Sequence, residues 1–147
     1  MPSLLQRLGR LCRRVLAGFC APPDRKDIEL GRKGEALAAA FLKARGYAIL
    51  ERNAKFPAGE ADLIVRTPAG EHAIVEVKTR ARGRNARSDA LAPELAITPR
   101  KRRTLRAIAK RLARANDWPR VGIEMIAIEW PDDGSDPIVR HHKAIPR

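Results

Sequence analysis

Aromatic side chains are scarce in this sequence, at 4% of 147 residues, so a core has to be assembled from Ala, Leu, Ile and Val. Thiols are scarcer. Cys12 and Cys20 are the only two, and both precede the stretch that reads as globular. A disulfide scaffold or a paired-cysteine zinc site is thereby excluded, and a reducing cytoplasm is the expected setting. Three histidines, at 72, 141 and 142, are too few and too dispersed to complete a zinc site with those cysteines. No apolar run approaches the ~20 residues that cross a bilayer, so stable membrane insertion is not expected. Neither GxGxxG nor GxxxxGK[ST] occurs, which removes a phosphate-cradling nucleotide loop from consideration.

Positive charge is abundant. Thirty Lys+Arg stand against 17 Asp+Glu, for a net charge of +13. It is not evenly spread: residues 79–114 hold twelve basic and two acidic groups, a local +10, while residues 115–147 are slightly acidic. A block of that kind attracts a polyanion, and every phosphate it neutralises releases counterions, so nucleic acid is the expected partner.

Along the chain, residues 1–29 read as a basic amphipathic extension. Leu4, Leu8, Leu11, Val15 and Phe19 recur at helical spacing with arginines interleaved, and Pro22–Pro23 mark the boundary. One domain is expected over 30–147. Residues 33–45 predict a helix with Ala36, Ala39, Ala40 and Leu42 inward and Gly46 just past its end. Strands are predicted at 47–50, around EADLIV after a loop with Pro57 and Gly59, and at 72–79, the most apolar and therefore central. Residues 67–70 carry turn chemistry. A loop rich in Arg and Gly follows, and then Thr98-Pro99 opens a helix over 99–115. That helix turns Leu105, Ile108, Ala109 and Leu112 inward, with Arg102, Arg103, Arg106, Lys110 and Arg114 on its remaining surface. Strands at 121–130 and 138–142 complete the order α-β-β-β-α-β-β. The meander and helical crossover make an α/β sandwich with a mixed central sheet flanked by helices.

Four residues carry the chemistry: Glu35, Asp62, Glu76 and Lys78. Alternate side chains of a strand share a face, which places Glu76 and Lys78 together about 6–7 Å apart in an otherwise apolar strand. Asp62 precedes Glu76 by 14 residues through a tight turn, an offset that sets the two carboxylates side by side. Two carboxylates and a backbone carbonyl suit Mg²⁺ or Mn²⁺, which prefer oxygen donors and retain waters. A neighbouring lysine suits the orientation of a water or the charge of a phosphorane. Glu35, near the start of the first helix, supplies a third carboxylate. The chemistry expected is metal-assisted phosphodiester hydrolysis.

The stretches GRKGEALAAAFLKARGYAILERNAK, GEADLIV, AIVEVKTR and TPRKRRTLRAIAKRLA, in that order, resemble the YraN family over about residues 30–147. These are small bacterial proteins assigned to the restriction-endonuclease-like superfamily with its PD-(D/E)xK motif. The resemblance implies a restriction-endonuclease-like sandwich and a metal-dependent endonuclease acting on DNA, branched or damaged. It matches Asp62 to the motif aspartate, Glu76 and Lys78 to the ExK element, and Glu35 to the helix-borne acid of Holliday-junction-resolvase-like members. Lys101 matches a basic position opening the following helix, and Arg80 ends the EVKTR motif; these two, with Arg102, Arg103 and Arg106, are expected on nucleic acid. Two departures stand out: Ala61 precedes Asp62 where the superfamily motif has proline, and Glu124 stands where the family usually shows Asp. Symmetric nicking of junctions requires two related sites, so a homodimer is expected if the substrate is a junction. The alternative reading is a nucleic-acid-binding module of the same fold without efficient catalysis.

Overall fold

The computed structural model describes residues 24–82 and 97–143. Residues 1–23 of the extension read at 1–29, and the part of the Arg/Gly loop beyond residue 82, lie outside the described residues, while residues 25–29 belong to the first helix. Two helices and five strands follow in the order α1 (Arg25–Ala44), β1 (Ala48–Phe56), β2 (Gly59–Arg66), β3 (His72–Arg82), α2 (Pro99–Ala115), β4 (Val121–Pro131) and β5 (Ile138–His142). They form an α/β sandwich with a mixed five-stranded sheet, consistent with the restriction-endonuclease-like architecture.

Helix α1 starts eight residues earlier than its Ala-rich stretch suggests, and residues 24–29 are exposed. It ends in a double lock. Gly46 takes φ 81°, its N–H donates to the Lys43 carbonyl, and Tyr47 N–H reaches back to Leu42. Those are the two bonds of a Schellman ending, and the left-handed residue it needs is the glycine. The inward stripe differs from the expected one. Gly34, Ala38, Ala39 and Leu42 are buried, whereas Ala36 and Ala40 face water. Small residues on every side of this helix leave its phase undefined by pattern, and the larger Leu42 sets it. Gly34 also proves to be more than a cap or turn residue. It lies mid-helix against Thr79 of β3, where an added methyl would collide with the threonine Oγ1.

Strand β1 runs to Phe56, beyond the four residues expected, because Glu51–Lys55 pair with β2 despite their polarity. A register shift between Ile49 and Glu51 leaves Leu50 exposed. Pro57 and Ala58 form the connection to β2, so the supposed loop is a tight hairpin turn. The second hairpin turn is as expected, with Gly70 (φ 84°) donating to the Thr67 carbonyl at 2.9 Å.

The strands lie in the spatial order β1-β2-β3-β4-β5 with β3 at the centre. β1, β2 and β3 are antiparallel neighbours, β3 and β4 pair in parallel along their whole length, and β5 returns antiparallel. Helix α1 covers one face over Leu63, Val65, Ala73, Val75, Ile126 and Ile128. Helix α2 covers the other, setting Leu105, Ile108, Ala109 and Leu112 on Ile64, Ile74 and Met125. All four of its expected inward residues are buried. Fully burying a Leu or Ile contributes about 1.5–3 kcal/mol, so these two layers carry most of the stability.

The feature that positions the site is a fork. β2 and β3 pair only from Leu63↔Val75 to Arg66↔His72, while β3 continues alongside β4 to Arg82. Beyond Val75 the side of β3 that faces β2 has no ladder partner there. Asp62 stands at that point.

Candidate metal and nucleic-acid site

At the mouth of the fork, Asp62 Oδ2 accepts a 2.7 Å hydrogen bond from the Val77 backbone N–H. The carboxylate thus takes the place of the strand partner that β3 loses. Alternation along β3 puts Glu76 on the α2 side, and the carboxyl groups of Asp62 and Glu76 are close enough to perturb each other. Burial raises the pKa of Asp62, opposed by the Val77 hydrogen bond and the Lys101 charge. Glu76 is pushed up to about 7, first by burial and then by the negative charge of Asp62, with Lys101 pulling the other way. Desolvation penalises the charged form, and a like charge adds to it.

Lys101 is the unexpected member. Instead of facing solvent with Arg103 and Arg106, its ammonium turns inward, 2.9 Å from Glu76 Oε2 and 3.2 Å from the Glu60 carbonyl oxygen. The contact with Glu76 is an ion pair, and Oε2 is a buried oxygen. The position follows from the helix start. Thr98 Oγ1 accepts from the Lys101 N–H at 3.2 Å and Pro99 opens the helix, which fixes the first turn beside β2. The first turn of α2 contains no acidic residue. Asp62 and Glu76 supply the negative charge at that helix end from the sheet.

Glu35 lies on a different wall, whereas Lys78, two residues on from Glu76 in the same unbroken strand, shares its α2-facing side. Both line a cavity of roughly 640 Å³ together with Asp27, Gly31, Val77 and Arg80. Lys78 is exposed and Glu35 half-buried. Val77 joins the two places, because its N–H is held by Asp62 while the residue itself borders the cavity. The close crossing of Gly34 and Thr79 sets the distance of α1, and hence of Glu35, from β3. Among the described residues no group of three or more His, Cys, Asp or Glu side chains assembles at metal-holding range.

The residues present fit a hard divalent cation. Asp62 and Glu76 offer oxygen donors, one of them buried. Two protein carboxylates leave the rest of a coordination sphere to water and phosphate, the arrangement Mg²⁺ favours. Of the basic residues expected on nucleic acid, Arg80, Arg103 and Arg106 are exposed and Arg102 is half-buried.

Comparison with known proteins fits this picture. The family model described as "Uncharacterised protein family UPF0102" matches residues 34–128, from the Gly34 crossing through β4. The chain belongs to the UPF0102 family. The resemblance read from the sequence is thereby borne out. A UPF0102 protein of Clavibacter michiganensis subsp. michiganensis is 38% identical over 111 residues, covering 74% of this chain and 89% of the relative. One from Renibacterium salmoninarum is 36% identical over 124 residues, 82% of this chain and 98% of the relative. A UPF0102 protein of Pelobacter propionicus is 44% identical over 87 residues, which span 58% of this chain and 56% of the relative. The UPF0102 match takes in Asp62, Glu76, Lys78 and Lys101 alike.

A second buried polar cluster went unnoticed in the sequence. Glu124, 6% exposed, holds His141 Nε2 at 2.8 Å, and Tyr47 adjoins both. Burial first, and then the Glu124 carboxylate, raise the Tyr47 pKa. The one signal for this cluster was a glutamate inside the apolar run VGIEMIAIEW. Among the described residues no helix is long and apolar enough to cross a membrane.

Proposed function

We propose that the protein is a divalent-metal-dependent endonuclease that hydrolyses phosphodiester bonds in DNA, with branched or damaged DNA as substrate and the cytoplasm as its place of work. The observation that carries this reading is the pair Asp62–Glu76: two adjoining half-buried carboxylates, one with a pKa raised to about 7, at a break in the sheet. Such a pair is costly on its own and becomes favourable around a cation. In this reading Asp62 and Glu76 hold Mg²⁺ or Mn²⁺, and Glu35 approaches from the neighbouring wall. A cation bound there lowers the pKa of a water and takes up charge growing on the phosphate. Lys78, exposed beside the cavity, orients the attacking water or binds a phosphate oxygen. Arg80, Arg102, Arg103 and Arg106 bind the DNA backbone, and a symmetric pair of cuts on a junction requires a dimer.

One observation favours the second reading, a DNA-binding module without efficient catalysis: an internal ammonium, that of Lys101, already stands against Glu76.

The test is a panel of linear, nicked, flapped and four-way-junction DNA incubated with Mg²⁺, Mn²⁺ or EDTA, beside Lys78→Ala. Cleavage should require the metal and fall by about 10²–10³-fold in the variant, the usual loss when one charge-stabilising group goes. Salt-sensitive DNA binding should persist. Equal behaviour of wild type and variant on every substrate selects the binding module.

A further inference from the structure

Lys101 was expected among the residues that touch nucleic acid, and the structure gives it a different neighbourhood. Its ammonium is held by two elements at once, through the Glu60 carbonyl of β2 and Glu76 of β3, while its backbone is pinned by the Thr98 cap. Among the ion pairs of the described residues this is the one that reaches the acid pair. The lysine side chain is 31% exposed against 14% for Glu76, so the lysine is the more open of the two to water. A lysine stem has four rotatable carbons and a compact charge, and can swing without moving the helix.

Resting on the endonuclease reading, we propose that Lys101 is a resident counter-cation: it offsets one of the two charges of the Asp62–Glu76 pair in the metal-free protein and must leave Glu76 when the pair takes up a divalent cation. Two half-buried carboxylates and one ammonium sum to one negative charge. With a divalent ion added, the same cluster becomes positive, and the ammonium is repelled from the oxygen it now faces. Lys101 therefore holds the site together without metal by offsetting part of its negative charge, and the same contact lowers the affinity for metal. It acts as a positioning residue, setting how much cation is needed to load the site.

The test uses the full chain, stripped with EDTA and dialysed. Mn²⁺ and Mg²⁺ are titrated by calorimetry into wild type, Lys101→Met and Lys101→Arg, and melting temperatures are recorded with and without metal. Lys101→Met should bind Mn²⁺ about tenfold more tightly, melt lower without metal, and gain more from metal than wild type does. Lys101→Arg should stay near wild type. A lysine that merely braced the helix would lower stability in both conditions without tightening metal binding. Equal or weaker Mn²⁺ affinity in Lys101→Met, with wild type binding metal, overturns the inference and leaves the endonuclease reading standing. Metal binding by Lys101→Met alone supports it in its strongest form. If neither protein binds metal nor cleaves DNA, the endonuclease reading fails and the inference with it. Should Lys101→Met not fold, the Lys101 ammonium resonance of ¹⁵N-labelled wild type decides. It should shift and lose protection as Mg²⁺ is added, and an unmoved signal overturns the proposal.

Discussion

Glu76 and Glu124 stand almost side by side on the two central strands, Glu76 opposite Met125 and Glu124 opposite Val75. One faces α2 and the other faces α1. Both are withdrawn from water, yet their surroundings differ. Glu124 is met by His141 at 2.8 Å and by Tyr47, partners that satisfy it within the protein. Glu76 is met by a second carboxylate and by one ammonium. An acid with neutral or cationic partners is satisfied within the fold; an acid set beside another acid is a pair that a cation would stabilise. The difference distinguishes the two glutamates more sharply than their burial does.

Substituting each glutamate in turn should break the comparison most visibly. Glu124→Ala strands the His141 and Tyr47 polar atoms in the core, a cost of about 2–3 kcal/mol. That loss should appear as a melting temperature lower by on the order of 10 °C. Glu76→Gln removes one of two adjoining charges, and at pH 8 without metal it should raise stability by about 1 kcal/mol. Opposite signs in thermal melts would confirm that one acid is supported and the other is not. A fall of equal size in both would erase the distinction.

The pH dependence sharpens it further. Glu76 has a folded-state pKa raised to about 7, so between the ordinary glutamate range and that value the folded protein binds more protons than the unfolded chain. Stability from this group is therefore lost as pH rises through that window. The stability advantage of Glu76→Gln over wild type should be small at pH 4.5, grow toward pH 7 and level off above it. Denaturant titrations of the two metal-free proteins at several pH values measure that gap, and a flat gap would contradict the raised value. The smallest effect concerns the surface. Arg103→Ala with Arg106→Ala should reduce the slope of log affinity against log salt by about 2 for duplex DNA, with no change in sequence preference.

Much of this arrangement was legible in the residues. Thr98-Pro99 fixed the start of α2, and a single apolar stripe of Leu105, Ile108, Ala109 and Leu112 left its facing unambiguous. Asp62 and Glu76 were legible because charges break apolar strands only for a reason, and one tight turn decides which of them meet. The phase of α1 was not legible, since Ala36, Ala38, Ala39 and Ala40 are equivalent by pattern and only tertiary contact chooses among them. The long β1 hid behind Glu51, Arg52, Asn53 and Lys55, whose polarity suits an edge strand as well as a loop. Lys101 could not be separated from its basic neighbours by sequence, because inward aim depends on where α2 meets β2. Glu124 and His141 are 17 residues apart on strands whose pairing no local signal announces.

The Val77 amide has an additional use. It lies two residues beyond Val75, the last β3 residue paired with β2, and a site carboxylate holds it where residues nearer the hairpin have β2. Its hydrogen should exchange with solvent at a rate set by the charge on Asp62, making one peptide group a spectroscopic gauge of whether the acid pair is protonated, lysine-bound or loaded.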